Sequence, residues 1–179
     1  MIRPTQSMGM RAAMAAAMTW VSACSPALDW REFVPQDSGI SVNLPCRPDH
    51  HARPVVLGSA TVQMNMLVCS ADEATFALSY FDVADPARIS ATLIEWREAA
   101  LGNVQARDAQ MAPTQIKGMT PNAEAVHVSA SGRLPDGAAV QEHAAFFVHG
   151  LRVYQAAVIG AHPSPQALAV FFAGLKFPA

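Results

Sequence analysis

From Trp30 onward the chain runs in short alternating stretches separated by tight turns, and that pattern restricts it to antiparallel sheet. Ile40, Val42 and Leu44 alternate with Ser41 and Asn43, which gives one apolar face at the period of a strand. Trp30 to Val34 precedes this run, and Gln36-Asp37-Ser38-Gly39 between them has turn chemistry. Val55 to Leu57 and Ala60 to Cys69 flank Gly58-Ser59, and glycine at the first turn position suits a type II′ hairpin. In that second run Val62, Met64, Met66 and Val68 oppose Thr61, Gln63 and Asn65. Thr75 to Val83 follows the turn Ala71-Asp72-Glu73. Ala123 to Ser131, Ala139 to Val148 and Leu151 to Ile159 succeed one another through Leu134-Pro135-Asp136-Gly137-Ala138 and His149-Gly150. Connections this short join antiparallel neighbours, because parallel strands need a crossover of a dozen residues or more.

Two helices interrupt the strands. Asp85 is a cap followed by Pro86 at the first helical position. Ile89, Leu93, Trp96, Ala100 and Val104 then recur at helical spacing, and Gly102 or Asn103 stops the run. Ser164-Pro165 opens the second helix, whose apolar face is Leu168, Phe171, Phe172 and Leu175, and Gly174 ends it. Lys176-Phe177 then runs on to the sheet edge. Residues 47–54 read as a polar loop carrying His50-His51, and residues 105–122 carry little pattern beyond a short strand near Thr114 to Lys117. The expectation is an α+β domain over residues 30–179, an antiparallel sheet of hairpins and a meander covered by two amphipathic helices.

That order, with Asp37-Ser38-Gly39-Ile40-Ser41-Val42-Asn43-Leu44-Pro45, Arg152-Val153-Tyr154-Gln155 and Phe171-Phe172-Ala173-Gly174-Leu175-Lys176-Phe177, resembles the PsbP-like, or Mog-type, α/β/α sandwich. The resemblance spans about residues 30–178, and such domains recur in small bacterial lipoproteins. Members serve as photosystem accessory subunits and as binders of a small GTPase. The resemblance therefore implies a non-enzymatic binding or accessory role, by analogy of fold alone.

The first 23 residues read as an export signal. Arg3 and Arg11 precede the apolar run Ala12 to Ala23, with no acidic residue. That run is shorter than the roughly 20 apolar residues needed to span a bilayer. Val21-Ser22-Ala23-Cys24 resembles a bacterial lipobox, which implies cleavage before Cys24 and acylation of its thiol. Val21 and Ala23 equally suit ordinary signal-peptidase cleavage. After an anchored Cys24, residues 24–29 are a tether, and Ser25 resembles the residue class that sends lipoproteins to the outer membrane. The implied location is the periplasmic side of a bacterial membrane.

Three cysteines, Cys24, Cys46 and Cys69, leave one over if two pair. With Cys24 acylated, Cys46 and Cys69 remain as a disulfide pair in an oxidising compartment, or as two thiols. Removing residues 1–23 takes two of the twelve basic residues and none of the fourteen acidic ones, so ten face fourteen and the net charge is −4. A mildly acidic domain lacks the basic footprint of nucleic-acid binding. The expected partners are the membrane, through the lipid, and a protein of the envelope.

Few residues suggest chemistry. His50 and His51, with the soft donors Met64, Met66 and Cys69, are candidates for copper. Against this, Met64 and Met66 lie on an apolar strand face where packing is the default, and Cys69 has the opposite parity. His127, His143 and His149 are candidates to meet on the meander. Asp82, Asp85, Glu95 and Glu98 read as caps and solvated charges around the first helix. No nucleophile elbow, phosphate loop or zinc-helix motif occurs. The sequence thus favours a non-enzymatic module without a cofactor. A small-ligand or copper/zinc carrier and a hydrolase with a dispersed site are the alternatives.

Overall fold

The computed structural model describes residues 28–58 and 60–178. The expected signal peptide, Cys24 and most of the tether lie outside the described residues. The short strands β1 (Arg31–Phe33) and β2 (Val42–Leu44) pair antiparallel as a two-stranded sheet. Seven further strands make the main sheet: β3 (Asp49–Leu57), β4 (Ala60–Ala71), β5 (Ala74–Asp82), β6 (Arg107–Pro113), β7 (Val126–Arg133), β8 (Ala139–His149) and β9 (Arg152–Gly160). Their spatial order is β3-β4-β5-β9-β8-β7-β6, with every pair antiparallel. A single 3-10 turn, Pro86–Arg88, leads into α1 (Ile89–Asn103), and α2 (Pro165–Ala173) closes the chain. The Asp85 side chain accepts from the Ala87 N–H and the Ser164 side chain from the Ala167 N–H. Both helical entries therefore start at the caps the sequence marks.

The central strands of the sheet are buried on both faces, and the two covers differ. Over one face lies α1, whose Leu93, Trp96 and Ala100 pack on Phe81, Phe146, Val148 and Val153. Trp96 sits between Phe81 and Phe146, with ring centroids at 4.8 and 6.1 Å. Over the other face lie β1–β2, α2 and the C-terminal segment, which bury Ile40, Val42, Leu44, Phe171 and Phe177 against Phe76, Leu78, Tyr80, Tyr154 and Val158. Ser41 and Lys176 bridge the small sheet to the C-terminal segment, and Lys176 bridges on to Lys117.

The fold class corrects the sequence expectation. The chain is mostly β, and the α+β sandwich with helices covering the sheet, implied by the PsbP-like resemblance, does not hold. The reason is geometric. A helix of nine residues is ~13 Å long, whereas seven strands at about 4.8 Å spacing are more than twice as wide. The β1–β2 sheet supplies much of that cover. Two local expectations also fail. The presumed loop around His50-His51 is strand β3, and the unpatterned stretch after α1 contains the edge strand β6. Among the described residues no helix is long and apolar enough to cross a membrane.

Cys46 and Cys69 form a disulfide, with Cα atoms 5.9 Å apart and a sequence separation of 23. The bond ties the loop after β2 to β4, and so fastens the small sheet to the large one. Closing a loop of this size stabilises by about 3 kcal/mol on the chain-entropy account. Replacing both cysteines with serine is expected to lower unfolding free energy by about that amount. Urea titration checks this, and an unchanged midpoint would show that the bond carries no load.

Candidate functional site

Two clefts flank the stem of the β3–β4 hairpin. The larger, about 520 Å3, lies between the turn after β1 and the main sheet, and is lined by Gln36, Asp37, His50, Asn65, Tyr80 and Arg152. Its polar groups are held in place. Arg152 Nε and Nη2 donate to the two carboxylate oxygens of Asp82 at 2.7 and 2.8 Å. Arg152 also donates to the Asp37 carbonyl, and its guanidinium lies 5.3 Å from the centre of the Tyr80 ring. The hydrogen bond from Arg152 holds the Asp82 carboxyl below its usual range. Beneath the turn, Tyr154 donates to the Ser38 carbonyl at 2.6 Å, and burial pushes its hydroxyl up to about 12. These bonds clamp the β1–β2 turn to the sheet, where Asp37 is left-handed at φ 62°.

The second cleft, about 390 Å3, lies where β4 runs on past the end of β5. Leu57, Val62, Phe81 and Val83 form its apolar part, while Asp82, Asp85 and Glu95 bring carboxylates to it. Arg88 lies in the same cleft and pairs with Glu95 at 3.0 Å.

The sequence candidates for metal are dispersed. His50 and His51 are adjacent on β3 and so project to opposite faces. His51 stands opposite Met66 in register, while Met64 is buried in the core beneath α1. Cys69 faces the other core and is taken by the disulfide. Among the described residues no three His, Cys, Asp or Glu side chains come close enough to hold a metal ion. His127 and His143 do meet, with ring centroids 6.2 Å apart, and Phe172 of α2 covers His127 at 4.7 Å. Burial lowers the pKa of both, and for His127 the charge of His143 adds to it. His149 does not join them. Its Nδ1 lies 2.9 Å from the Gly118 carbonyl oxygen, and its ring stacks on Phe177. Asp85 is the cap the sequence indicates, whereas Asp82 is the anion that holds Arg152.

One group was not singled out by sequence. Glu142 on β8 is 2 % exposed, and its Oε2 has no hydrogen-bond partner. It lies in register with Ala130 of β7 and Ile159 of β9. Only the alternation Val140, Glu142, Ala144 on an apolar face signals it. No family model matches the chain, and no curated protein is significantly similar to it.

Burial holds the Glu142 carboxyl above its ordinary pKa, so the folded state favours the neutral form. A folded pKa above the unfolded one contributes stability at acid pH that is lost as pH rises through the folded value. Glu142→Gln is therefore expected to gain on the natural protein as pH rises from about 4 to 8. Urea unfolding at several pH values reads this directly, and a constant difference between the two proteins would contradict it.

Proposed function

We propose that the protein is an exported, lipid-anchored binding module of the bacterial envelope, held through Cys24 and presenting the clefts beside the β3–β4 hairpin to a protein partner. The observation that carries this reading is the Cys46–Cys69 disulfide. Disulfides persist in oxidising compartments, and this one accounts for two of the three cysteines. Cys24 is then the third, at the position where lipobox-type processing uses a cysteine. The polar groups of the larger cleft support binding rather than turnover. Arg152, Tyr80 and Tyr154 are engaged with Asp82 and with carbonyls of the β1–β2 turn. Among the described residues that line the larger cleft there is no serine, threonine or cysteine to act as a nucleophile.

The anchor is tested by Cys24→Ala. This variant is expected to move from the membrane fraction to the soluble periplasmic fraction and to lose incorporation of labelled palmitate. Retention on the membrane with no labelled lipid on the natural protein would rule the anchor out. Binding is tested by a photo-crosslinking residue at Gln63 in the intact envelope. One dominant adduct is expected, absent when the same group is placed at Arg133 on the distant β7–β8 turn. Identical adducts from the two positions would remove the binding reading.

A further inference from the structure

The second cleft contains a strand edge with free backbone groups. The ladder between β4 and β5 runs from Ala71↔Ala74 to Asn65↔Tyr80 and stops there, so Ala60 to Met64 pair with β3 alone. Two independent observations give the direction of their peptide groups. Leu57 pairs with Ala60 across a two-residue turn, which makes them a hydrogen-bonded pair and points the even-numbered residues of β4 at β3. Separately, the Val83 N–H donates to the Leu151 carbonyl at 2.9 Å, so the odd-numbered residues of β5 face β9 and the even-numbered ones face β4. Asn65, opposite Tyr80, therefore points toward β5, and by alternation so do Thr61 and Gln63. Thr61 and Gln63 border the cleft and their N–H and C=O groups face it, because the chain of β5 parts from β4 after Tyr80 and turns off at Asp85 into the 3-10 turn before α1.

The outer edges of the sheet are guarded and this one is not. Pro54 stands opposite Gln63 at a non-hydrogen-bonded position, so its missing N–H falls on the free side of β3. On β6 the register shifts between Arg107 and Gln110, Asp108 is left-handed at φ 54°, and Pro113 ends the strand. Thr61 and Gln63 carry no such device. The free stretch Ala60–Gln63 is ~13 Å long, with apolar groups toward α1 and three carboxylates, of which Arg152 holds Asp82 and Arg88 holds Glu95, leaving Asp85.

We propose that this slot is a strand-addition site, taking a short extended segment of a partner protein in which aliphatic residues alternate with lysine or arginine. Main-chain pairing with Thr61 and Gln63 supplies the register. Side chains on one side of the guest enter the apolar part formed by Leu57, Val62, Phe81 and Val83. A cationic side chain meets Asp85, the one of the three carboxylates that is not paired with an arginine, since Arg152 holds Asp82 and Arg88 holds Glu95. The inference rests on the reading of the chain as a binding module, but not on the lipid anchor.

The probe is a blocked hexapeptide of alternating valine and lysine, titrated into the full chain in detergent, with hydrogen exchange followed along β4. Binding is expected to slow exchange of the Thr61 and Gln63 amides by about tenfold or more. The same peptide N-methylated at the paired positions is expected to bind at least about tenfold more weakly. Asp85→Asn, which keeps the cap, is expected to weaken the lysine peptide several-fold and leave a valine-threonine peptide unchanged. Gln63→Pro deletes the outward N–H without touching the β3 ladder. If that variant does not fold, the N-methylated peptide makes the equivalent deletion from the guest side. Unslowed exchange at both amides near millimolar peptide, or equal binding of the N-methylated form, overturns strand addition. Equal binding of a valine-glutamate peptide overturns the charge preference. A specific Gln63 crosslink in the envelope alongside a failed titration would keep the module reading and discard this one.

Discussion

The pairing of β5 with β9 holds the rest of the structure together. Nine register pairs, from Ala74↔Gly160 to Asp82↔Arg152, join two meanders that are otherwise separate: β3-β4-β5 and β6-β7-β8-β9. Each meander alone would expose an apolar strand as an edge. Joined, they place Phe76, Leu78 and Tyr80 beside Val158, Ala156 and Tyr154 on one face, and Phe81 beside Val153 on the other. The fit at the far end depends on Gly160. A Cβ there would lie 2.8 Å from the Glu73 carbonyl oxygen, too close for any other residue without a backbone shift. Closing partners 70 residues apart, as Asp82 and Arg152 are, costs loop entropy before contacts repay it.

The covers follow from that junction. A sheet whose central strands are apolar on both faces needs two lids, and each lid is fastened by a different force. The α1 lid is held by aromatic packing, Trp96 between Phe81 and Phe146. The β1–β2 lid is held by packing together with directed bonds, Tyr154 and Arg152 gripping the turn from below. The polar groups that look functional in the larger cleft are thus also structural, and the overhang of β4 is a by-product of where α1 has to start.

The sequence was most informative where one residue type decides the local geometry. Asp85-Pro86, Ser164-Pro165 and the Leu134–Ala138 turn each fall where the structure puts them. Edge strands were opaque. Residues of β3 and β6 are exposed along most of their length, so neither alternates, and pairing with β4 and β7 outweighs weak strand propensity. Layering was opaque for the opposite reason. Ala144 to Val148 is a continuous buried run, and such a run tells that both faces are covered without telling by what. The strand-edge slot could not be read from Thr61 and Gln63, whose exposure looks like an ordinary solvated face. It exists because the β4–β5 ladder stops at Asn65↔Tyr80 while β4 starts at Ala60, a relation between two strands rather than a property of either.

The disulfide also has a mechanical meaning. Tension applied at the N-terminal end of the domain would first meet β1–β2, a ladder of three residue pairs. Past it the force reaches Cys46 and crosses to Cys69 on β4, entering the large sheet through a covalent bond. Residues 47–68, including all of β3 and most of β4, fall inside the closed loop and are bypassed. Pulling can therefore peel the small sheet, and with it the Gln36–Asp37 wall of the larger cleft, without extending the β3–β4 hairpin. The bond acts as a strain relief between the N-terminal end of the domain and the large sheet.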